Sequence, residues 1–75
     1  EEQMIRAEKE NIVRDVISRL PEEQRQVLIL RHYGDLSFKE IAEMTGVSIN
    51  TALGRMRYAL TNMRKVMEHA SINAA

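Results

Sequence analysis

The feature that most restricts this chain is a pair of helix starts with one glycine between them. Ser37-Phe38-Lys39-Glu40 carries the serine and the glutamate of a capping box, and Ser48 offers a second N-cap. Between them, Thr45-Gly46-Val47 supplies a glycine able to take the left-handed conformation that closes a helix. The spacing predicts a short helix over roughly 38–45 and a long one over roughly 49–69, joined by a tight turn. Ala42 is small where the later helix has to cross, and Ile41 and Val47 are apolar where the wedge between the two must be filled. This is the pattern of a helix-turn-helix, whose geometry lets the later helix enter a major groove. An αα-hairpin without a ligand is the plain alternative. A small residue, a spacer, Gly-apolar and a cap on each side favour DNA.

Upstream, the periodicity is helical as well. Ile12, Val13, Val16, Ile17 and Leu20 recur at steps of three and four, in a first helix of about residues 2–20. Leu20-Pro21 breaks it. A second helix opens with Glu22 and Glu23 near its positive end, runs to about Tyr33, and is stopped by Gly34. The expected fold class is all-α: a tetrahelical bundle ending in a helix-turn-helix, without a wing. Residues 1–9 read as the end of an interdomain linker or a frayed helix start, 10–70 as the folded domain, and 71–75 as a tail. The expected core is Ile12, Val13, Val16, Ile17, Leu20, Val27, Leu28, Leu30, Ile41, Ala42, Val47, Ala52, Met56 and Met63. Met44 is also placed inside; Met4 and Met67 are placed outside.

Seventy-five residues make one small domain. The absence of cysteine excludes a disulfide framework and any Cys-based zinc site. The longest apolar run, Val27 to Leu30, is far short of a membrane span, and no signal peptide opens the chain, so a cytoplasmic location is expected. His32 and His69 fall on different helices with no nucleophile arranged beside them, so neither an enzyme nor a cofactor is indicated. The formal net charge is zero, but the sum hides an asymmetry. Residues 1–36 carry eight acids and six bases; residues 37–75 carry three acids and five bases. From Ser48 to Met67 there are Arg55, Arg57, Arg64 and Lys65 and no acid. A phosphate backbone responds to such a local patch, not to the total.

Projected at about 100° per residue, the last helix puts Ile49, Ala52, Leu53, Met56, Ala59, Leu60, Met63, Val66 and Met67 in one sector. Asn50, Thr51, Gly54, Arg55, Arg57, Tyr58, Thr61, Asn62, Arg64 and Lys65 fill the other, with Gly54 and Tyr58 near its centre and Arg55 and Arg57 on its flanks. Such a face can present its middle to base edges and its flanking cations to phosphates. Gly54 costs the helix about 1 kcal/mol against alanine, which a close approach to DNA would explain. The start of the third helix offers the Phe38 and Lys39 N–H groups to a phosphate. Arg31 could reach the same backbone, or pair with Glu40.

These residues resemble region 4 of bacterial sigma factors of the sigma-70 family, most closely the small extracytoplasmic-function (group IV) members. The likeness rests on Leu20-Pro-Glu-Glu-Gln-Arg-Gln-Val-Leu-Ile-Leu-Arg31, Ser37-Phe-Lys-Glu-Ile-Ala42, Gly46-Val-Ser48 and Thr51-Ala-Leu-Gly-Arg-Met56, in that order, over about residues 10–67. The resemblance implies sequence-specific binding of the promoter −35 element in transcription initiation. It also implies docking on the β-subunit flap of RNA polymerase core and, in many members, capture by an anti-sigma factor. Carried over by position, it implies groove contacts at Asn50, Thr51, Leu53, Gly54, Arg57 and Tyr58. Phosphate contacts are implied at Arg31 and at the Ser37, Phe38 and Lys39 helix start. Ser48 serves as the cap of the reading helix, and Arg55 is read as a flanking phosphate contact. The family commonly has Lys or Arg where this chain has Leu53 and Leu60. Region 2, which reads the −10 element, has no counterpart here, so the chain is expected to be part of a longer protein. Two other readings are the DNA-binding domain of a LuxR-type regulator and a helical protein-interaction module. The Leu20-Pro21 start and the long last helix favour the sigma pattern over the first. A steep salt dependence would separate DNA binding from apolar docking.

Overall fold

A computed structural model of the chain describes residues 2–69, with side chains from residue 8 onward. Four helices follow one another: α1 (Glu2–Ser18), α2 (Glu22–His32), α3 (Phe38–Thr45) and α4 (Ile49–His69). No strand occurs among the described residues. The expected helices therefore form within two residues of their expected ends. The expected tail over 71–75 and the Met4 side chain lie outside the described residues.

Local chemistry accounts for each boundary. α1 ends where the Leu20 N–H turns back to the Ile17 carbonyl (3.1 Å), just ahead of Pro21. Pro21 is the residue before α2, and the negative Glu22 and Glu23 fall in its first turn while Arg31 and His32 fall in its last. At the end of α2, the Tyr33 and Gly34 N–H groups both donate to the Ile29 carbonyl (2.9 and 3.1 Å). The left-handed residue of this turn is Asp35 (φ 53°), not Gly34. Glycine is needed at 34 for another reason: a Cβ there would stand 2.7 Å from the Leu30 carbonyl oxygen. α3 opens with the full capping box. The Glu40 N–H donates to Ser37 Oγ (3.1 Å) and the Ser37 N–H donates to Glu40 Oε1 (3.0 Å). It closes on Gly46 at φ 71°, a conformation that a side chain would strain.

α4 is the element on which the others rest, and its Ala52 and Ala59 are fully buried. Around Ala59 gather Ile17, Leu20 and Leu28, with Val13 and Met63 against them. Around Ala52 gather Val27, Ile41 and Ala42, with Leu30, Leu36, Phe38 and Val47 against them. Met56 packs on both clusters. The expected core is inside or half inside except for Ile12, which is exposed on the outer side of α1. Met44, also expected inside, is 65% exposed: α3 is short, and its single buried edge is taken by Ile41 and Ala42. Met67 is half-buried and not outside. Ala59, Leu36 and Phe38 join the core beyond the expected set.

Candidate nucleic-acid interface

The buried edge of α4 fixes which way its other edge faces. Ala52 and Ala59 are seven residues apart, about 20° on a helix. Residues two positions to either side of them lie about 160° away. Those residues are Asn50, Gly54, Arg57 and Thr61, and they form the outward meridian. The sequence projection placed Tyr58 at the centre and Arg57 on a flank. Burial shifts the centre toward Arg57, with Tyr58 and Thr51 exposed on one shoulder and Leu53 on the other. Leu53, placed in the apolar sector by the projection, reaches solvent at 39% exposure, as its position in the resemblance requires. Thr61 and Arg64 extend the outward face and belong among the candidates; the same projection, centred on Ala52 and Ala59, would have included them.

Arg55 is not a flank of this face. It stands three residues from Ala52 and four from Ala59, on the shoulder turned toward α2. Its side chain is only 23% exposed, and its guanidinium lies 3.7 Å from Glu23 Oε2. About two turns further on, Asn62, also assigned to the polar sector, donates from Nδ2 to Gln24 Oε1 at 2.6 Å. Two adjacent residues at the start of α2 thus tie α4 along one seam. From Ser48 to Met67 no acid is present; Arg57, Arg64 and Lys65 are exposed there, and the first acid on α4 is Glu68, one turn beyond Arg64. Apart from its chain neighbours and its own helix backbone, Gly54 has nothing within 4 Å of where a Cβ would sit, so no packing neighbour requires a glycine there.

The start of α4 is held by Ser48, whose Oγ accepts from the Thr51 N–H (3.1 Å) and donates to Thr51 Oγ1 (3.0 Å). Asn50 beside it is exposed. At the start of α3, the capping box uses the Ser37 and Glu40 N–H groups, and the Ile41 N–H bonds the Ser37 carbonyl (2.9 Å). Phe38 and Lys39 keep the N–H groups that the helix itself cannot pair. The two Ser37 hydrogen bonds, backbone first and hydroxyl second, hold the Glu40 carboxyl below the ordinary glutamate range. Glu40 is therefore engaged in the cap, and Arg31 does not pair with it. Instead, Arg31 Nη1 donates to the Leu36 carbonyl at 2.9 Å, and its guanidinium carbon lies 5.2 Å from the centroid of the Phe38 ring. Arg31 thereby organises the turn leading into α3. It retains most of its five N–H donors and stays exposed.

Among the described residues no group of His, Asp and Glu could hold a metal ion, and no helix is long and apolar enough to cross a membrane. Two apolar grooves lie away from the outward face of α4. One is lined by Val13, Ile17, Leu28 and His32 and by Met56, Leu60 and Met63 of α4. The other, between α1 and α2, is lined by Arg14, Ile17, Arg25, Ile29 and Tyr33, among others.

Comparison with known proteins agrees with this geometry. The family model described as Sigma-70, region 4 matches residues 10–63, which include α2, α3 and most of α4. The chain is similar to the ECF RNA polymerase sigma factor RpoE of Cereibacter sphaeroides, with 41% identity over 51 residues, covering 68% of this chain and 28% of that protein. It is similar to the RNA polymerase sigma factor YlaC of Bacillus subtilis at 38% identity, covering 96% of this chain and 44% of that protein. It is likewise similar to the RNA polymerase sigma factor SigV of Bacillus subtilis, at 38% identity over 75% of this chain and 34% of that protein. The chain thus spans well under half the length of these relatives. No solved structure matches it with comparable significance. Matched by this family model over 54 of its 75 residues (10 through 63), the chain belongs to the sigma-70 region 4 family.

Proposed function

We propose that this domain reads the promoter −35 element for a sigma factor in transcription initiation, with α4 in the major groove. The observation that carries the reading is the division of α4 into two faces. Ala52 and Ala59 are sealed against the other helices, while Asn50, Gly54, Arg57 and Thr61 face outward on a stretch without an acid. Arg57 is long enough and central enough to reach base edges, and its fork suits guanine O6 and N7. Arg64 and Lys65 lie further along the rod and supply sequence-independent attraction. The α3 start, with Phe38 and Lys39 N–H groups behind the Ser37 cap, holds a phosphate on the adjoining backbone. Arg31 assists there by fixing the Leu36–Phe38 turn and by offering its unused donors to the same strand. Arg55 contributes charge from the side, shared with Glu23.

Polymerase docking falls to the apolar grooves of α1 and α2, which remain accessible when α4 faces DNA. The β-subunit flap is the partner the family suggests, and an anti-sigma factor would compete for the same surface. Residues 10–70 are the unit that carries both contacts. The test is fluorescence anisotropy of a −35 duplex at low salt, run beside capture of the chain on immobilised β flap. Sequence-selective binding that collapses as salt rises, together with retention on the flap, is the expected pair of results. Flap binding without any sequence selectivity would reject the groove-reading role.

A further inference from the structure

The exposed apolar side chains of α4 are not scattered. Ile49, Leu53 and Leu60 are 45%, 39% and 50% exposed, and at about 100° per residue they fall within roughly 40° of one another. This apolar edge borders the outward meridian on the Arg57 side, and it lies on the helix that carries no acid from Ser48 to Met67. Beside Leu53, Gly54 opens onto free space: apart from its chain neighbours and its own helix backbone, no atom comes within 4 Å of the missing Cβ. The domain therefore presents, in the second turn of α4, a partly exposed aliphatic side chain next to a glycine that leaves room beside the helix. The first turns of such a helix are the ones that reach base edges.

A major groove offers few apolar features to such a surface. Among the unmodified bases, only thymine presents one, its C5-methyl. We infer that Leu53 is a specificity-determining residue that packs on a thymine methyl, with Gly54 giving the room for that base to approach. This rests on the DNA-reading role proposed above and adds the chemistry of one position in the element. A lysine or arginine at 53 would seek guanine or phosphate; leucine replaces that with a contact that ignores charge and senses a methyl group. The element read by this chain accordingly contains a thymine, on either strand, at the base step facing the second turn of α4. Affinity owed to this contact is insensitive to salt, unlike that owed to Arg57 and Arg64.

The experiment is selection of duplexes from a randomised pool with the 75-residue chain at low salt. Anisotropy titrations of the selected duplex follow, with each thymine replaced in turn by deoxyuridine, which lacks only the methyl. The wild-type chain loses about fourfold in affinity at one thymine, the effect of uncovering one methyl. In Leu53→Ala and Leu53→Gln that ratio falls to near one; because most of the side chain is covered, the melting temperature drops, and circular dichroism at the titration temperature checks that both variants are folded. The inference is overturned if no thymine shows the loss, or if the loss is unchanged in both variants, while Arg57→Ala still flattens selectivity. In that case the domain reads DNA without Leu53, and its apolar edge faces something else. If the wild-type chain selects no sequence at all, the groove-reading role itself fails, and this inference with it.

Discussion

Gly54 gives the sharpest separation between what the fold needs and what DNA binding needs. It sits inside α4, where glycine is about 0.8–1.0 kcal/mol less favourable than alanine. Beyond its chain neighbours and its own helix backbone, a Cβ added there meets nothing within 4 Å, so Gly54→Ala brings neither a clash nor a packing gain. The net effect on the free domain is the propensity alone, about 1 kcal/mol of stabilisation. For a chain of this size that raises the melting temperature by about 4–8 °C, readable by circular dichroism. On DNA the sign reverses. If a base edge approaches the bare backbone at Gly54, a methyl forces the helix outward. Displacing a well-fitted contact this way costs about 1–2 kcal/mol, roughly five- to thirty-fold in specific affinity. Non-specific binding, carried by exposed cations, keeps its salt slope. A variant that melts higher and binds its duplex as tightly as wild type would refute the close approach. A variant that melts lower would refute the reading of Gly54 as free of internal constraint.

Further outcomes follow from other contacts. Arg57→Ala loses about 1–3 kcal/mol of discrimination among −35 variants if it reads a guanine, whereas Arg55→Ala, tied to Glu23, lowers the salt slope by less than one unit; equal behaviour of the two in anisotropy titrations would contradict their placement. Gly34→Ala destabilises by about 2 kcal/mol in urea unfolding, because its Cβ would stand 2.7 Å from the Leu30 carbonyl, and an unchanged midpoint would mean the turn relaxes freely. Glu40 has a folded-state pKa below its unfolded value of 4.5, so its stabilising effect is complete above about that pH and disappears as pH falls through the depressed value. Glu40→Gln removes this acid-sensitive part, and superimposable acid-unfolding curves for the two proteins would show that the carboxylate charge does not matter.

Much of this could be read from residue order because it is local. Caps and stops act over three or four residues, so Ser37 with Glu40, Gly46 and Ser48 with Thr51 declare themselves. What escaped depends on which helix covers which. A projection of α4 alone cannot know that α2 lies beside Arg55 and Asn62, so both were counted as outward; Glu23 and Gln24 turn them inward. Ile12 and Met44 are apolar at plausible helical positions, yet 36% and 65% of their surfaces stay exposed. At Gly34 the residue type was informative but the reason was not. The constraint is an approaching carbonyl, and the left-handed residue is Asp35. For the candidate interface, the sequence alone does not show that Arg55 turns aside or that Thr61 and Arg64 join the outward face, because the centre of that face is set by the buried alanines.

The methionine shared by the two clusters has a mechanical consequence. Met56 is the side chain through which the Ala52 cluster and the Ala59 cluster touch a common neighbour. An unbranched thioether with three rotatable bonds can follow small shifts on either side without opening a void. Both clusters stand on the one continuous α4, so Met56 lets the helix-turn-helix half and the amino-terminal half settle against each other as a single packed body. Converting that sulfur to a sulfoxide would put a polar, stiffer group where the two clusters meet, and the fit between them would loosen.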